Sequence, residues 1–228
     1  LIWDVGHQAH GHKMLTGRRK ELARIKRRDG PSGFLRRCES PHDVFGAGHA
    51  GTSVSAGVGI AEAVRRRGGD SRVVVVIGDG AATAGMSFEA LNHLGELRSP
   101  VRVVFNDNGM SIAPSAGGLA RIGKVRAYFE SLGLDYAGPV DGHDLDGLLE
   151  ALRRLSATGG PAVLHVKTRK GCGYAPAERD PFGWHATAPF EIASGVRENG
   201  PKGAPPSWTS VFAHALERMA DRDSRVVA

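Results

Sequence analysis

Two apolar segments, each followed by small and oxygen-bearing residues, constrain the fold of this chain most strongly. Val73–Ile77 is a β-branched run followed by Gly78–Gly80 (Gly-Asp-Gly), and Val101–Phe105 is followed by Asn106–Asn108 (Asn-Asp-Asn). Continuous apolar runs of this length are typical of strands buried in a parallel sheet. A helical pattern lies between them. The region is therefore predicted to be a βαβ unit with its polar side chains at the carboxyl edge of the sheet.

The rest of the pattern extends this unit. Helices are predicted over residues 51–67, 84–97, 125–132, 145–155 and 207–220, and further strands over 1–5, 135–140 and 162–167. We expect Asp144 and Ser207 to cap the helices that follow them. A basic helix is predicted over 15–28, and a long loop over 168–185. Together these elements predict an α/β fold, a parallel sheet flanked by helices.

Composition narrows the class of protein. The chain has 228 residues, of which 41% are hydrophobic and 24% charged, as in ordinary globular proteins. No apolar run reaches the roughly 20 residues of a membrane helix, and no signal peptide is recognised at the start. Cys38 and Cys172 have neither disulfide-framework nor metal-ligand spacing, so a cytoplasmic setting is expected. Because the chain begins without methionine and ends in a strand-like segment, we expect a fragment or one half of a larger enzyme.

The net charge of +6 is concentrated between residues 18 and 28. A solvated helix face is the favoured interpretation, and an anionic partner is the alternative. No aromatic residues interleave with these charges, so nucleic acid is not an expected partner. His7, His10 and His12 have no common zinc spacing, and a loop that contacts an anion is preferred to a zinc site.

The residue types after the two strands favour a metal and an anion. Asp79 supplies a carboxylate, and Asn108, 29 residues later, supplies an amide oxygen. Few hard oxygen ligands suit Mg²⁺ or Ca²⁺, and Mg²⁺ completes its shell with phosphate and water. Gly80 and Ala81 lead into a helix whose first amides would face an anion. A plain turn is the alternative for Gly-Asp-Gly alone. The chain has neither a Gly-x-Gly-x-x-Gly motif after a strand nor a Walker lysine motif, which disfavours dinucleotide and P-loop sites.

Gly-Asp-Gly, 25 intervening residues and then Asn-Asp-Asn resemble the signature of thiamine-diphosphate enzymes. The flanking segments narrow this resemblance to the 1-deoxy-D-xylulose-5-phosphate synthase family. The segments that carry it include Asp4–Ala9, His12–Arg19, Gly48–His49, Thr83–Met86, Met110–Ile112, Gly138–Asp144 and Tyr174–Glu178. The resemblance runs from the first residue to about Phe190 and continues weakly to the end.

The resemblance implies a transferase of the transketolase type with the diphosphate-binding (PP-type) thiamine-diphosphate fold. The implied reaction condenses pyruvate with D-glyceraldehyde 3-phosphate, with decarboxylation, to 1-deoxy-D-xylulose 5-phosphate for isoprenoid and thiamine synthesis. Thiamine diphosphate and Mg²⁺ are the implied cofactors, and a cytoplasmic homodimer is the implied assembly of the full-length enzyme.

The resemblance also implies roles for single residues. Asp79, Asn108 and the backbone oxygen of Met110 match metal ligands. The positions that match cofactor contacts are His7, Gly48, His49, Ala50, Gly80, Ala81, Asn108 and Tyr174; the family usually has serine at Ala50, so a hydroxyl contact is lost there. The positions that match catalytic residues are His7, Lys170 and His185. A lysine suits the substrate phosphate, and a histidine suits proton transfer.

The chain departs from the family pattern in extent. Residues 1–190 match the diphosphate-binding domain, shortened after residue 118; residues 191–206 read as a linker, and 207–228 as the start of the pyrimidine-binding domain. An upstream segment with a further active-site histidine and the domain with the cofactor-activating glutamate have no counterpart here. We therefore expect half of a site and an inactive isolated chain. The alternatives are a subunit of a split transketolase and a non-catalytic binding module, which Lys170 and His185 disfavour.

Overall fold

The computed structural model describes residues 1–6, 9–118, 125–197 and 205–227. The chain forms two compact units, Leu1–Phe182 and Gly183–Ala228. In the described part of the chain, no helix is long and apolar enough to cross a membrane.

The first unit is built on a sheet of five parallel strands. They are β1 (Ile2–Trp3), β2 (Val73–Gly78), β3 (Val101–Asp107), β4 (Asp135–Asp141) and β5 (Ala162–Lys167), arranged in the order β1-β2-β3-β5-β4. All five strands therefore end at the same edge of the sheet, which confirms the predicted α/β class and the shared carboxyl edge.

Seven α-helices of the first unit accompany these strands in the described ranges. They are α1 (Ala9–Lys13), α2 (Ser53–Arg66), α3 (Asp79–Ala82), α4 (Gly85–Leu97), α5 (Val125–Ser131), α6 (Leu145–Ser156) and α7 (Ala175–Arg179). The second unit contains α8 (Trp208–Arg222). Both predicted caps are confirmed: the Asp144 carboxylate accepts a hydrogen bond from Gly147 N, and the Ser207 hydroxyl oxygen accepts one from Ser210 N.

The sheet is buried on both faces. Val163 of β5 packs in one apolar cluster with side chains of α2, α4 and α5, whereas Leu164 packs in another with α6. Successive strand residues point to opposite faces, so the two clusters lie on opposite sides of the sheet. This arrangement explains why β2, β3 and β5 are apolar along nearly their whole length.

The prediction of a single basic helix over residues 15–28 is wrong. The chain instead forms a π-type turn over Met14–Arg18, with Gly17 at a φ of 92°, and then a 3₁₀ helix over Glu21–Arg24. The solvated-face interpretation also fails for Arg18, which is buried and makes two hydrogen bonds of 2.7 Å to the Asp43 carboxylate. This tertiary ion pair joins residues 25 positions apart, so the local sequence pattern does not contain it.

Two other local predictions change. The plain turn given as the alternative for Gly-Asp-Gly is not formed, because Asp79 is the first residue of the short helix α3. The segment 168–185, expected to be a loop throughout, contains α7, whose Pro176 lies in the first turn, where the missing N–H costs little.

Candidate functional site

The register of β2 and β3 brings the two signature segments together. Gly78 pairs with Asn106 in adjacent parallel strands, so Asp79 and Asn108 follow neighbouring strand ends. This placement agrees with the βαβ interpretation of the sequence.

Asp79 is a buried carboxylate, 8% exposed. Burial raises its pKa; a 2.8 Å hydrogen bond from the Ser115 hydroxyl to Oδ2 opposes the shift, and the nearby charge of Asp107 adds to it. Net, the pKa of Asp79 lies above its ordinary value of 3.8. A carboxylate in this condition is stabilised by a nearby cation.

A tight turn after β3 carries the other two predicted ligands. The Asn108 side-chain oxygen accepts a hydrogen bond from Met110 N at 2.9 Å. Gly109 between them has a φ of 71°, a left-handed conformation that favours glycine. Ser115 N donates to the Gly109 carbonyl at 2.8 Å, which closes the turn and brings Ser115 to Asp79.

Lys170 reaches the same turn from the segment after β5. Its Nζ donates to the Ser111 carbonyl at 2.8 Å and lies 3.4 Å from that of Ile112. Burial lowers the pKa of Lys170, and the charge of Asp79 opposes that shift, so the two side chains interact electrostatically. A Cβ on Gly80 would lie 2.7 Å from the Ser111 Cβ, which shows how closely this turn covers α3.

The segment Gly48–Ala50 lies next to α3. Buried Asp4, directly after β1, accepts hydrogen bonds from Gly51 N at 2.8 Å, Ser53 N at 3.1 Å and the Ser53 hydroxyl at 2.6 Å. The Ser87 hydroxyl lies 2.9 Å from the Ala81 carbonyl and 3.2 Å from that of Gly51. Gly48, His49 and Ala50 themselves are exposed.

Asp107 of β3 connects its own strand to β5 below the turn. Its Oδ2 accepts from His165 Nε2 at 2.9 Å and from Lys167 Nζ at 2.6 Å, and its Oδ1 accepts from Gly109 N at 3.2 Å. Burial alone would raise the pKa of Asp107, but the hydrogen bonds from Lys167 and His165 outweigh it, so that pKa is below its ordinary value. His165 Nδ1 lies 2.6 Å from the Tyr136 hydroxyl of β4.

The remaining predicted site residues are not all in this cluster. His7 lies outside the described residues. Tyr174 caps the start of α7, and its backbone N donates to the Gly171 carbonyl at 3.1 Å, in the same segment as Lys170. His185 belongs to the second unit, where it is half-buried.

Sequence reasoning missed the supporting residues Asp4, Ser115, Asp107 and His165. His165 offered a signal, since it is a polar residue inside the apolar run Ala162–Lys167, and a buried polar group needs a partner. Within the described ranges, no cluster of three or more His, Cys, Asp or Glu side chains could hold a metal. A metal at this edge would therefore depend on amide and backbone oxygens as well as on Asp79.

The family model and the relatives found by comparison with known proteins agree on one family. The family model described as "1-deoxy-D-xylulose-5-phosphate synthase" matches residues 1–125 and 120–168. Proteins of that name from Thioalkalivibrio sulfidiphilus and Thiobacillus denitrificans are 43% and 44% identical to the chain over 268 aligned residues, which cover all of it. The chain spans only 42% and 43% of these relatives, respectively.

Solved structures agree on the fold. A transketolase from Campylobacter jejuni superposes with a TM-score of 0.68 at 21% identity, over 78% of this chain and 30% of that one. A transketolase from Leishmania mexicana gives a TM-score of 0.62 at 24% identity, over 73% of this chain and 28% of that one. At these identities the likeness is one of fold.

Proposed function

Because the chain belongs to the 1-deoxy-D-xylulose-5-phosphate synthase family, we propose that it carries the magnesium and diphosphate half of a thiamine-diphosphate site. The full site would serve the condensation of pyruvate with D-glyceraldehyde 3-phosphate, with decarboxylation, to 1-deoxy-D-xylulose 5-phosphate. The observation that carries the proposal is the buried carboxylate of Asp79 at a strand end adjacent to that of Asn108.

The donor chemistry fits Mg²⁺. Asp79 would supply the carboxylate, Asn108 its amide oxygen and Met110 its backbone oxygen, all hard ligands. The raised pKa of Asp79 supports this assignment, because a divalent cation would offset the cost of burying its charge. Water and the cofactor's phosphates would complete the coordination shell.

The cofactor would lie along the same edge of the sheet. Thiamine diphosphate, when bound, supplies the electron sink for decarboxylation. Family resemblance assigns its contacts to the segment Gly48–Ala50, to Gly80 and Ala81, and to Tyr174 and His7. The hydrogen bonds from Gly51 and Ser53 to Asp4 support the first assignment, because they fix the segment beside α3.

Lys170 and His185 are proposed to act on the substrates. The Lys170 ammonium group donates a hydrogen bond to the Ser111 carbonyl, next to Met110. It would bind the phosphate of glyceraldehyde 3-phosphate. His185 would transfer a proton to the alkoxide formed from the aldehyde. His7 is proposed to act from the cofactor side. These three assignments rest on the resemblance.

The domain organisation is proposed from the length over which the relatives and the family model align with the chain. The relatives align over 268 residues against the 228 of this chain, and the two family-model matches meet at residues 120–125. These findings support a diphosphate-binding domain over 1–190 that is shortened after residue 118. The linker over 191–206 and the start of a pyrimidine-binding domain over 207–228 are proposed from the resemblance alone. The complete enzyme is proposed to be a cytoplasmic homodimer, and this chain alone to be inactive.

The test combines binding with turnover. We expect the chain to bind thiamine diphosphate only in the presence of Mg²⁺, and to release no CO₂ from pyruvate until a relative's pyrimidine-binding domain is added. Asp79→Ala should abolish binding, whereas Asp70→Ala, an exposed residue before β2 at the opposite edge, should not. Turnover by the chain alone would refute the half-site, and unchanged binding by Asp79→Ala would refute the metal assignment.

A further inference from the structure

A relay of hydrogen bonds runs beneath the proposed metal site without including any of its ligands. It starts at Tyr136 on β4, passes through His165 on β5 and Asp107 on β3, and ends at the backbone N–H of Gly109. His165 is 3% exposed and Asp107 is 9% exposed. The relay therefore spans three neighbouring strands and ends between Asn108 and Met110.

Both ring nitrogens of His165 and both carboxylate oxygens of Asp107 have a hydrogen-bond partner. With its proton on Nε2, His165 donates to Asp107 Oδ2 and accepts from the Tyr136 hydroxyl at Nδ1. The second oxygen of Asp107 is used by Gly109 N. Fully satisfied buried networks of this kind are rigid, because each lost bond leaves an unpaired polar group in a low dielectric.

A second connection joins the same strand end to the Lys170 segment. The Thr168 hydroxyl donates to the Asn106 side-chain oxygen at 2.6 Å, and Thr168 N donates to the Asp107 carbonyl at 3.0 Å. Lys170 follows two residues later and contacts the turn. The end of β3 is therefore hydrogen-bonded both to the turn with the proposed ligands and to the start of the lysine segment.

We propose that His165 and Asp107 are positioning residues for the metal site: the relay sets the conformation of the Asn108–Met110 turn, and so the affinity for the metal. This inference rests on the proposed function. Neither residue is assigned a contact with metal, cofactor or substrate. Residues that orient ligands in this indirect way typically change metal affinity by about 10- to 100-fold when replaced.

His165 allows the hydrogen bonds to be separated from charge and volume. In His165→Phe the ring volume is kept, the charge of Asp107 is kept, and both hydrogen bonds are lost. In His165→Gln the amide nitrogen can donate to Asp107 and the amide oxygen can accept from Tyr136. We expect His165→Phe to weaken Mn²⁺ binding by about 10-fold or more and His165→Gln to stay within about 3-fold of the wild type.

Asp107→Asn tests the other end of the relay. Asp107 Oδ2 faces the donors of His165 and Lys167, and Oδ1 faces that of Gly109. With its amide oxygen towards Gly109 N, the new side chain can donate its NH₂ group to the other tautomer of His165, so that only the bond from Lys167 is lost. Because the hydrogen bonds to Gly109 N and His165 can persist, Asp107→Asn should weaken Mn²⁺ binding less than His165→Phe does.

The measurement is Mn²⁺ binding to the 228-residue chain in saturating thiamine diphosphate, followed by the electron paramagnetic resonance signal of the free ion. Thermal unfolding is recorded for every variant. Arg102→Met is the control for general destabilisation, because Arg102 binds carbonyls at the far end of α6, with 2.7 Å from Nε to the Leu155 oxygen. It should lower the melting temperature and leave the Mn²⁺ affinity unchanged.

The outcomes separate this inference from the proposed function. No Mn²⁺ binding by the wild type, or binding unaffected by Asp79→Ala, would overturn the proposed function and this inference with it. Loss of binding in Asp79→Ala with unchanged affinity in His165→Phe would overturn the positioning role alone. Equal weakening in His165→Phe and His165→Gln, or the same weakening in Arg102→Met, would also overturn that role.

Discussion

At the scale of single residues, the buried carboxylate of Asp79 lowers the stability of the metal-free chain at neutral pH. Its pKa is raised in the folded state, by burial first and by the charge of Asp107. The folded state therefore binds a proton more readily than the unfolded state. Stability contributed by this group is present below its ordinary pKa of 3.8 and is lost as pH rises through the raised folded value.

Replacing this carboxylate should have opposite effects with and without cofactor. We expect Asp79→Asn to melt no lower than the wild type at pH 7 without metal, because the unfavourable charge is gone. Mg²⁺ with thiamine diphosphate should stabilise the wild type by about 2.7 kcal/mol at 100 times the Kd, and should not stabilise the variant. Calorimetry with and without both ligands measures this difference. Equal stabilisation of both proteins would contradict it.

The ion pair between Arg18 and Asp43 has the reverse dependence on pH. Burial raises the pKa of Asp43, but hydrogen bonds from Arg18 outweigh it, so the folded-state pKa lies below 3.8. The corresponding stability is present above pH 3.8 and is lost as pH falls through the folded value. Glu39, which also pairs with Arg18 at 3.0 Å, behaves in the same way.

Asp43→Ala should destabilise the chain by about 3–5 kcal/mol at pH 7, because it leaves the buried Arg18 guanidinium without its main partner. The loss should shrink as the pH falls below 3.8 and passes through the lowered folded-state pKa of Asp43. Urea unfolding at pH 7 and pH 3 checks both statements. Asp223→Ala, which removes an exposed pair with Arg225, is the control and should leave stability unchanged at pH 7.

At the scale of elements, α2 packs on the sheet through a glycine. A Cβ on Gly57 would lie 2.6 Å from the Val75 side chain of β2, so the helix approaches the strand as closely as it does because this position lacks a side chain. Gly59, on the same helix, is exposed and has no atom within 4 Å of such a Cβ. The helix is rich in small residues, and the structure shows which glycine makes the close approach to the sheet.

These two glycines form a matched pair. Gly57→Ala should destabilise the chain by about 1–3 kcal/mol through overpacking against Val75. Gly59→Ala should stabilise it by about 0.5–1 kcal/mol, because alanine has the higher helix propensity. Urea unfolding of both variants measures the difference. Stabilisation by both substitutions would show that helix propensity alone, without packing on β2, governs this helix.

At the scale of the whole molecule, the strands and both apolar clusters lie within Leu1–Phe182. The second unit contains α8, none of whose residues is buried. The proposed metal ligands and Lys170 also belong to the first unit. The strands and helices that carry these proposed ligands and Lys170 therefore all belong to the first unit.

A chain shortened to Leu1–Phe182 should fold cooperatively. Its Mg²⁺-dependent affinity for thiamine diphosphate should stay within about 3-fold of that of the whole chain, which is less than the tenfold change that about 1.4 kcal/mol of binding free energy would cause. Titration calorimetry of the two chains compares their affinities. A matched deletion that also removes β5, ending at Gly160, should abolish folding. Loss of binding in the first shortened chain alone would assign a role in cofactor binding to the second unit.

The sequence determined the elements with strong local patterns. The prediction for β5, residues 162–167, agrees with the structure at both ends, and the caps Asp144 and Ser207 are confirmed. The signature spacing alone placed Asp79 and Asn108 at neighbouring strand ends, which the register of β2 and β3 confirms. Periodicity, turn residues and caps are local properties, and local properties can be read along a chain.

The tertiary structure decided what depends on contacts between distant segments. Arg18 pairs with Asp43, 25 residues away, and the predicted helix is interrupted at Thr16 and Gly17. The hydrogen bond between His165 and Asp107 joins residues 58 positions apart in the sequence, and no periodic pattern predicts it. Such pairings form because a buried charge or polar group must find a partner wherever the fold brings one. The sequence by itself therefore determined the strands of the sheet and the longer helices, and its family resemblance suggested the proposed ligands, whereas only the folded structure decided which buried groups pair with one another beneath them.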